Sequence, residues 1–140
     1  MQRDIHATGI AELQRLLARG QVTVKRETAR ITKKHGSLLV TKIRARASGR
    51  PGPGVVTGDY RRSWGSTYRA TPDPSATVGT NAPQARRLEY GFTGRDSLGR
   101  HYAQPPLPHV APAVQETEAE YKEELRRMAA RIDSAVAYRP

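Results

Sequence analysis

The chain has 140 residues and no cysteine, and 36% of it is hydrophobic, with a single Trp and a single Phe. Disulfides and thiolate metal sites are therefore excluded, and so lean a composition implies that part of the chain leaves the core or completes its burial on a partner. The net charge of +11 is an N-terminal property: residues 1–53 carry +9, whereas residues 113–140 carry −1. Such a half fits contact with nucleic acid or with an acidic protein surface.

The first residues, Met1 to His6, include no apolar run of the signal-peptide kind. No stretch is long and apolar enough to span a bilayer, so the expectation is synthesis in the cytoplasm and no membrane partner. Residues 2–7 alternate weakly and predict a short edge strand. Thr8 then offers a hydroxyl cap, with Glu12 four residues on. Ile10, Leu13, Leu16 and Leu17 form an apolar helical stripe, and Gly20 marks a candidate break. A second helical stretch is expected over about 22–47, with Val22, Ala29, Gly36, Leu39, Val40, Ile43 and Ala47 on one stripe. Its middle, Arg26–His35, is thin in apolar residues, which predicts a bend or an exposed segment there.

Ser48 to Gly54 holds three glycines and two prolines and reads as a loop. It lacks the Gly-Lys-Ser/Thr ending of a phosphate-binding loop. Thr57 is placed to cap a helical turn over Gly58–Tyr60. From Ser63 to Ala70, Trp64, Ser66 and Tyr68 alternate with polar neighbours as in a half-buried strand. Thr71-Pro72-Asp73-Pro74 is a turn, and Ser75–Thr80 returns as the second strand of a hairpin. Ala85–Tyr90 suits a helical turn ended by Gly91. Phe92–Gln104 reads as a hairpin or an exposed loop. Pro105, Pro106, Pro108 and Pro112 predict a stiff, extended approach to a last helix over 114–137. There, Val114, Thr117, Tyr121, Leu125, Met128, Ile132 and Ala135 form a stripe expected to pack on the domain's own sheet. Its glutamates come early and its arginines late, as the helix dipole favours, with Glu118/Lys122 and Glu123/Arg127 at i,i+4. The fold class is α+β in one domain, 1–140: a long N-terminal helix with a candidate break near Gly20, a small antiparallel sheet, and a C-terminal amphipathic helix. Its parts are 1–48, the Gly/Pro loop 49–56, the sheet and loops 57–113, and the helix 114–137.

Reaction chemistry is missing from this pattern. His6, His35, His101 and His109 make no metal-binding spacing, and His101 and His109 read as ordinary surface histidines of one loop region. Ser63 and Ser97 lack a nucleophile-elbow context. The carboxylates of the last helix stand beside basic partners, as on an ion-paired surface rather than in a glycosidase pair. No enzyme, cofactor or metal is expected. The basic residues Lys25, Arg26, Arg30, Lys33, Lys34, Lys42, Arg44, Arg46 and Arg50 could meet phosphates non-specifically, but that half has no aromatics on which bases would stack.

Five short motifs occur in order along the chain: Gly9-Ile10-Ala11-Glu12-Leu13, Thr57-Gly58-Asp59-Tyr60-Arg61-Arg62-Ser63, Val78-Gly79-Thr80-Asn81, Ala85-Arg86-Arg87-Leu88-Glu89-Tyr90-Gly91 and Pro108-His109-Val110-Ala111-Pro112-Ala113. Together they resemble the tail-completion, or neck, family of minor tail proteins from long-tailed double-stranded DNA bacteriophages. Here His109-Val110 stands where the family has Phe-Leu, and Gln84 where it has an aromatic residue. The resemblance implies a virion protein at the head–tail junction, in a ring of about six copies. The ring would stack between a head-closure ring and the tail terminator or tail tube, with DNA passing through it.

The family-motif core is then Thr57, Gly58, Tyr60, Arg61, Ser63, Trp64, Gly79, Asn81, Leu88, Glu89, Tyr90, Gly91, Pro108 and Pro112. Contacts between subunits or rings are expected at Arg50, Pro51 and Pro53 in one loop, and at Phe92, Arg95 and Tyr102 in the other. Contact with DNA or an acidic surface is expected at Arg26, Arg30, Lys33 and Lys34. The competing readings are a small basic nucleic-acid-binding protein and a different ring of the same neck, such as the terminator.

Overall fold

A computed structural model describes the backbone of residues 5–136 and the side chains of residues 13–135. The architecture is α+β. Helix α1 (Ile5–Arg46) is followed by the short helix α2 (Asp59–Ser63), strands β1 (Gly65–Arg69) and β2 (Ser75–Gly79), helix α3 (Ala85–Tyr90), strands β3 (Phe92–Arg95) and β4 (His101–Gln104), and helix α4 (Val110–Val136).

With 42 residues in one helix, α1 is about 63 Å long. The strand expected over 2–7 does not form at Ile5–Ala7, which are already helical, and residues 2–4 lie outside the described residues. Neither Thr8 nor Gly20 interrupts the helix. One interior glycine costs about 1 kcal/mol, too little to break a ladder of hydrogen bonds propagating on both sides of it.

The thin middle of α1 stays helical and is covered along one side rather than left exposed all round. Ile31, Thr32 and His35 are buried there, because α4 lies along it. This corrects the expected packing of α4 on the sheet. The two helices run antiparallel, and their charges interlock. Arg46 meets Glu116 at 2.9 Å, Lys42 meets Glu120 at 2.7 Å, and Lys34 meets Glu124 at 2.9 Å. Polar groups close the seam between them: Thr32 Oγ1 lies 3.0 Å from Tyr121 Oη, and His35 Nε2 lies 2.7 Å from Glu124 Oε2. Hydrogen bonds from Lys34 and His35 outweigh burial and hold the Glu124 carboxyl down at about 2. The basic N-terminal half and the acidic start of α4 thus meet within one chain.

Instead of one sheet there are two separate antiparallel hairpins, β1–β2 and β3–β4. In the first, Gly65 pairs with Gly79 and Arg69 with Ser75. Ala76 and Val78 form its inward face, on α1. Here Gly36 serves a purpose that helix propensity does not reveal: a Cβ at Gly36 would lie 2.6 Å from Ala76 Cβ. The core gathers Val40 and Ile43 from α1 with Trp64 and Ala113, and Leu39, Tyr60, Val78 and Val110 pack around it.

Substitution of Gly36 by Ala should therefore destabilise the protein by about 1–3 kcal/mol, although the same change in an exposed helix stabilises. Adding Ala76→Gly should restore part of the loss. Urea unfolding of the single and double variants measures both effects, and a more stable Gly36→Ala protein would refute the close contact.

Candidate functional site

Three of the sequence motifs meet around the start of α4. The segment before that helix is extended, and Leu107 N–H donates to Leu88 O at 2.7 Å, which docks it on α3. The helix begins at Val110, four residues before the expected start, with Pro112 in its first turn, where a missing N–H costs nothing. No side chain of α4 itself caps this end. The cap is Glu89 on α3: Oε2 accepts from His109 N–H at 2.9 Å and Val110 N–H at 3.0 Å, and Oε1 accepts from Ala111 N–H at 2.9 Å. A buried carboxylate thus satisfies three backbone donors and faces the positive end of the helix dipole.

Gly91 sets the position of that carboxylate. It ends α3 at φ 77°, and a Cβ there would come within 2.8 Å of Gln104 O and 2.9 Å of Pro106 N. Only glycine permits both the left-handed turn and that approach of the returning chain.

His109 is fully buried, which corrects its reading as a surface histidine; His101 is exposed on β4. Nδ1 of His109 lies 2.8 Å from Leu107 O and 3.1 Å from Glu89 Oε2. Both are acceptors, so Nδ1 carries the proton. Nε2 lies 2.6 Å from Tyr60 Oη, whose O–H donates to it in the neutral ring. Tyr60, Trp64 and His109 pack edge to face, with centroids 5.6–6.2 Å apart. Burial pushes the Glu89 carboxyl up, but the three N–H donors and the nearby His109 ring outweigh it, so the group lies below the usual carboxylate range.

The other motif residues brace this centre. Thr57 Oγ1 accepts from Asp59 N–H and donates to the Asp59 carboxylate, although by position the cap of α2 is Gly58, at φ 81°. Arg61 donates to Ser48 Oγ, and Ser63 Oγ donates to Tyr60 O at 2.6 Å. Gly79 closes the hairpin register opposite Gly65. Leu88 is half-buried and Trp64 buried, whereas Asn81, Tyr90 and Pro108 face outward. Arg44, outside the motifs, donates to Trp64 O at 2.6 Å and ties α1 to this centre.

The expected contact residues separate into several groups. Arg50, Pro51, Arg95 and Tyr102 are exposed, but Pro53 is buried within the chain and Phe92 is half-buried under the Arg87 guanidinium, 4.3 Å from its ring. Among the basic candidates, Arg30 and Lys34 reach Glu124, Lys33 lies over the Tyr68 ring, and Arg26 is exposed. Among the described residues, no three His, Cys, Asp or Glu side chains converge as a metal site would require, and no helix is long and apolar enough to cross a membrane.

Among the described residues, an interior held together by a capping carboxylate, an imidazole and a phenol offers no exposed nucleophile. It fixes shape. Comparison with known families agrees with that character: residues 10–91, more than half of the chain, match the family described as "Bacteriophage HK97-gp10, putative tail-component". The chain belongs to this HK97-gp10-like family. The curated proteins and the solved structures yield no match. The family match takes in α1 from residue 10, the β1–β2 hairpin and α3 up to Gly91, so Tyr60, Trp64 and Glu89 fall inside it. The partner end of the network, His109 and α4, lies beyond it.

Replacing Glu89 by Ala should cost about 2–4 kcal/mol, because three N–H groups lose a charged acceptor in a buried setting. Glu89→Gln should cost less. Because folding lowers the Glu89 pKa, its extra stability is present above the ordinary glutamate range, near 4.3, and is lost as pH falls through the lowered value. Thermal unfolding against pH should show the gap between wild type and Glu89→Gln closing in acid. A gap independent of pH would remove the capping charge from the account.

Proposed function

We propose that this HK97-gp10-like chain is a structural subunit of the head–tail joining region: a tail-completion, or neck, ring around the DNA channel, built of about six copies of the 15.5 kDa chain. The observation that carries the reading is the family match over residues 10–91. Several physical features support it. The most ordered polar network is spent on orienting helices, so no turnover is asked of the protein. Among the described residues, both hairpins have outer edges without a strand partner, and closure into a ring covers such edges. Arg50 on its loop and Arg95 and Tyr102 on the β3–β4 hairpin stand outward, suited to meeting the head-closure ring or the tail terminator.

The decisive experiment is electron microscopy of particles from the encoding phage with the gene deleted. The expected result is filled heads and separate tails. Normally joined, infectious particles would overturn the proposal. The tail terminator, the other ring of the same neck, differs by position, and labelled protein in joined particles distinguishes them.

A second reading, non-specific binding of duplex DNA, is favoured by one observation. Arg15, Arg19, Lys25 and Arg26 lie on the distal half of α1, exposed and without an ion pair to any described residue. In a ring these cations could also line the channel. Four phosphate contacts would give a slope of log K against log salt of about −3.6. Absence of binding at about 50 mM salt would remove this reading.

A further inference from the structure

The segment Gly54–Val56 is an exposed apolar stretch with no sheet of its own, bending at Val56 toward α2. Val56 is 96% exposed and Val55 46% exposed. Adjacent β-branched residues favour extended structure and gain from cross-strand packing, yet no backbone hydrogen bond is made by Gly54, Val55 or Val56 within the described residues. The segment is held at both ends. Gly52 and Pro53 are buried, Gly49 N–H bonds Pro53 O at 3.1 Å, and Gly58 leads into α2. It is presented outward from a fixed base rather than left loose.

Elsewhere on the same chain lies a groove of about 410 Å³ between β2 and α4, floored by α1. Leu39, Ala76, Val78, Val114 and Tyr121 line it, and β2 forms one wall, its outer edge unpaired among the described residues. Its floor is not closed by the chain's own groups. Among the described residues, His35 Nδ1 and Thr117 Oγ1, on two residues that line the groove, are buried without a hydrogen-bond partner. Buried polar atoms are nearly always paired, and a peptide group laid in the groove is one source of partners. Since His35 Nε2 is taken by Glu124, Nδ1 is left to a further partner, while the Thr117 hydroxyl can donate to a carbonyl. A peptide group supplies one N–H and one C=O. The single charged side chain between residues 49 and 58 is Arg50, so the segment brings no carboxylate to the rim, where Glu118 is paired with Lys122.

We infer that Gly54–Val56 of one subunit adds as a strand to the free edge of β2 on the next copy, filling the groove between β2 and α4. This rests on the ring reading and names its contact. Donor and acceptor are different surfaces of one chain, so the contact is head-to-tail and repeats around a ring. Because successive strand residues point to opposite faces, Val56 enters the groove toward Val114, and Val55 lies outside, beside Thr77.

The chain has no cysteine, so introduced thiols report the contact without background. Phage particles co-assembled from the single variants Val56→Cys and Val114→Cys should give a covalent dimer on oxidation, and neither variant alone should. Val56→Asp should cut incorporation into particles roughly tenfold or more, with circular dichroism and melting of the isolated protein unchanged. Wild-type-level incorporation of Val56→Asp, or co-assembled thiol variants that do not cross-link, would overturn the inference and leave the ring reading standing. Wild-type particles without the chain would overturn both.

Discussion

The structure depends on one carboxylate. Glu89 sits at the end of a six-residue helix, yet it accepts all three backbone donors that open the longest surface helix after α1. Remove it and the start of α4 keeps three orphaned N–H groups beside a fully buried imidazole. The helix would then have no reason to begin where its ion pairs with α1 come into register. Glu89 reaches this place because Gly91 turns the chain sharply and because Leu107 docks on Leu88. The network also explains why distant motifs occur together. Tyr60 of the Thr-Gly turn, Glu89 of the Leu-Glu-Tyr-Gly turn and His109 of the proline segment touch in sequence. Each motif supplies one link of the hydrogen-bonded chain.

Register between α1 and α4 in turn decides what the charge of the molecule is available to do. Net charge placed a basic surface on the N-terminal half, but Arg30, Lys34, Lys42 and Arg46 lie against the glutamates of α4. Exposed pairs of this kind contribute little stability each. Their larger effect is to neutralise the proximal half of the helix and leave the positive field to its distal half. That half also carries Leu13, Leu17 and Val22, each more than half exposed. An arm both apolar and cationic is suited to a protein surface more than to a phosphate backbone alone, since phosphates give leucines nothing to pack against.

What was legible in the sequence follows from which interactions are local. The β1–β2 hairpin showed in its alternation and in its Thr-Pro-Asp-Pro turn, and the α3 turn in its terminal glycine. Val40, Ile43, Ala47, Thr117 and Met128 were legible from helical spacing. Ile31 and His35 were not, because their burial is made by α4, some ninety residues away. A polar residue such as His35 looks like surface until Glu124 is known to face it. Glu89 was visible as part of a motif, but its role as a cap for another helix has no local signature. The start of α4 was better marked than the reading allowed: Pro112 belongs in a first turn as naturally as in an extended lead-in. Gly20 and Gly36 show the limit of propensity. Both carry the same cost, one leaves the helix intact, and the other admits a hairpin.

The interior and the surface of this protein are solved to different degrees, and that difference is informative. Around Glu89 nearly every polar group has a partner, with the Trp64 indole nitrogen left over. Around the β2 groove, two buried polar atoms, a strand edge and an apolar lining remain open, while a pinned pair of valines remains exposed on another face. A monomer selected only for its own stability would gain by closing these, since exposed valines and unpaired edges invite aggregation. A subunit of a closed assembly has no such pressure, because its neighbour completes it. On the proposed ring, the rigid Glu89 centre would hold Gly54–Val56 and the β2 groove in fixed relation, so that the fold rather than flexible loops would set the rotation from one copy to the next.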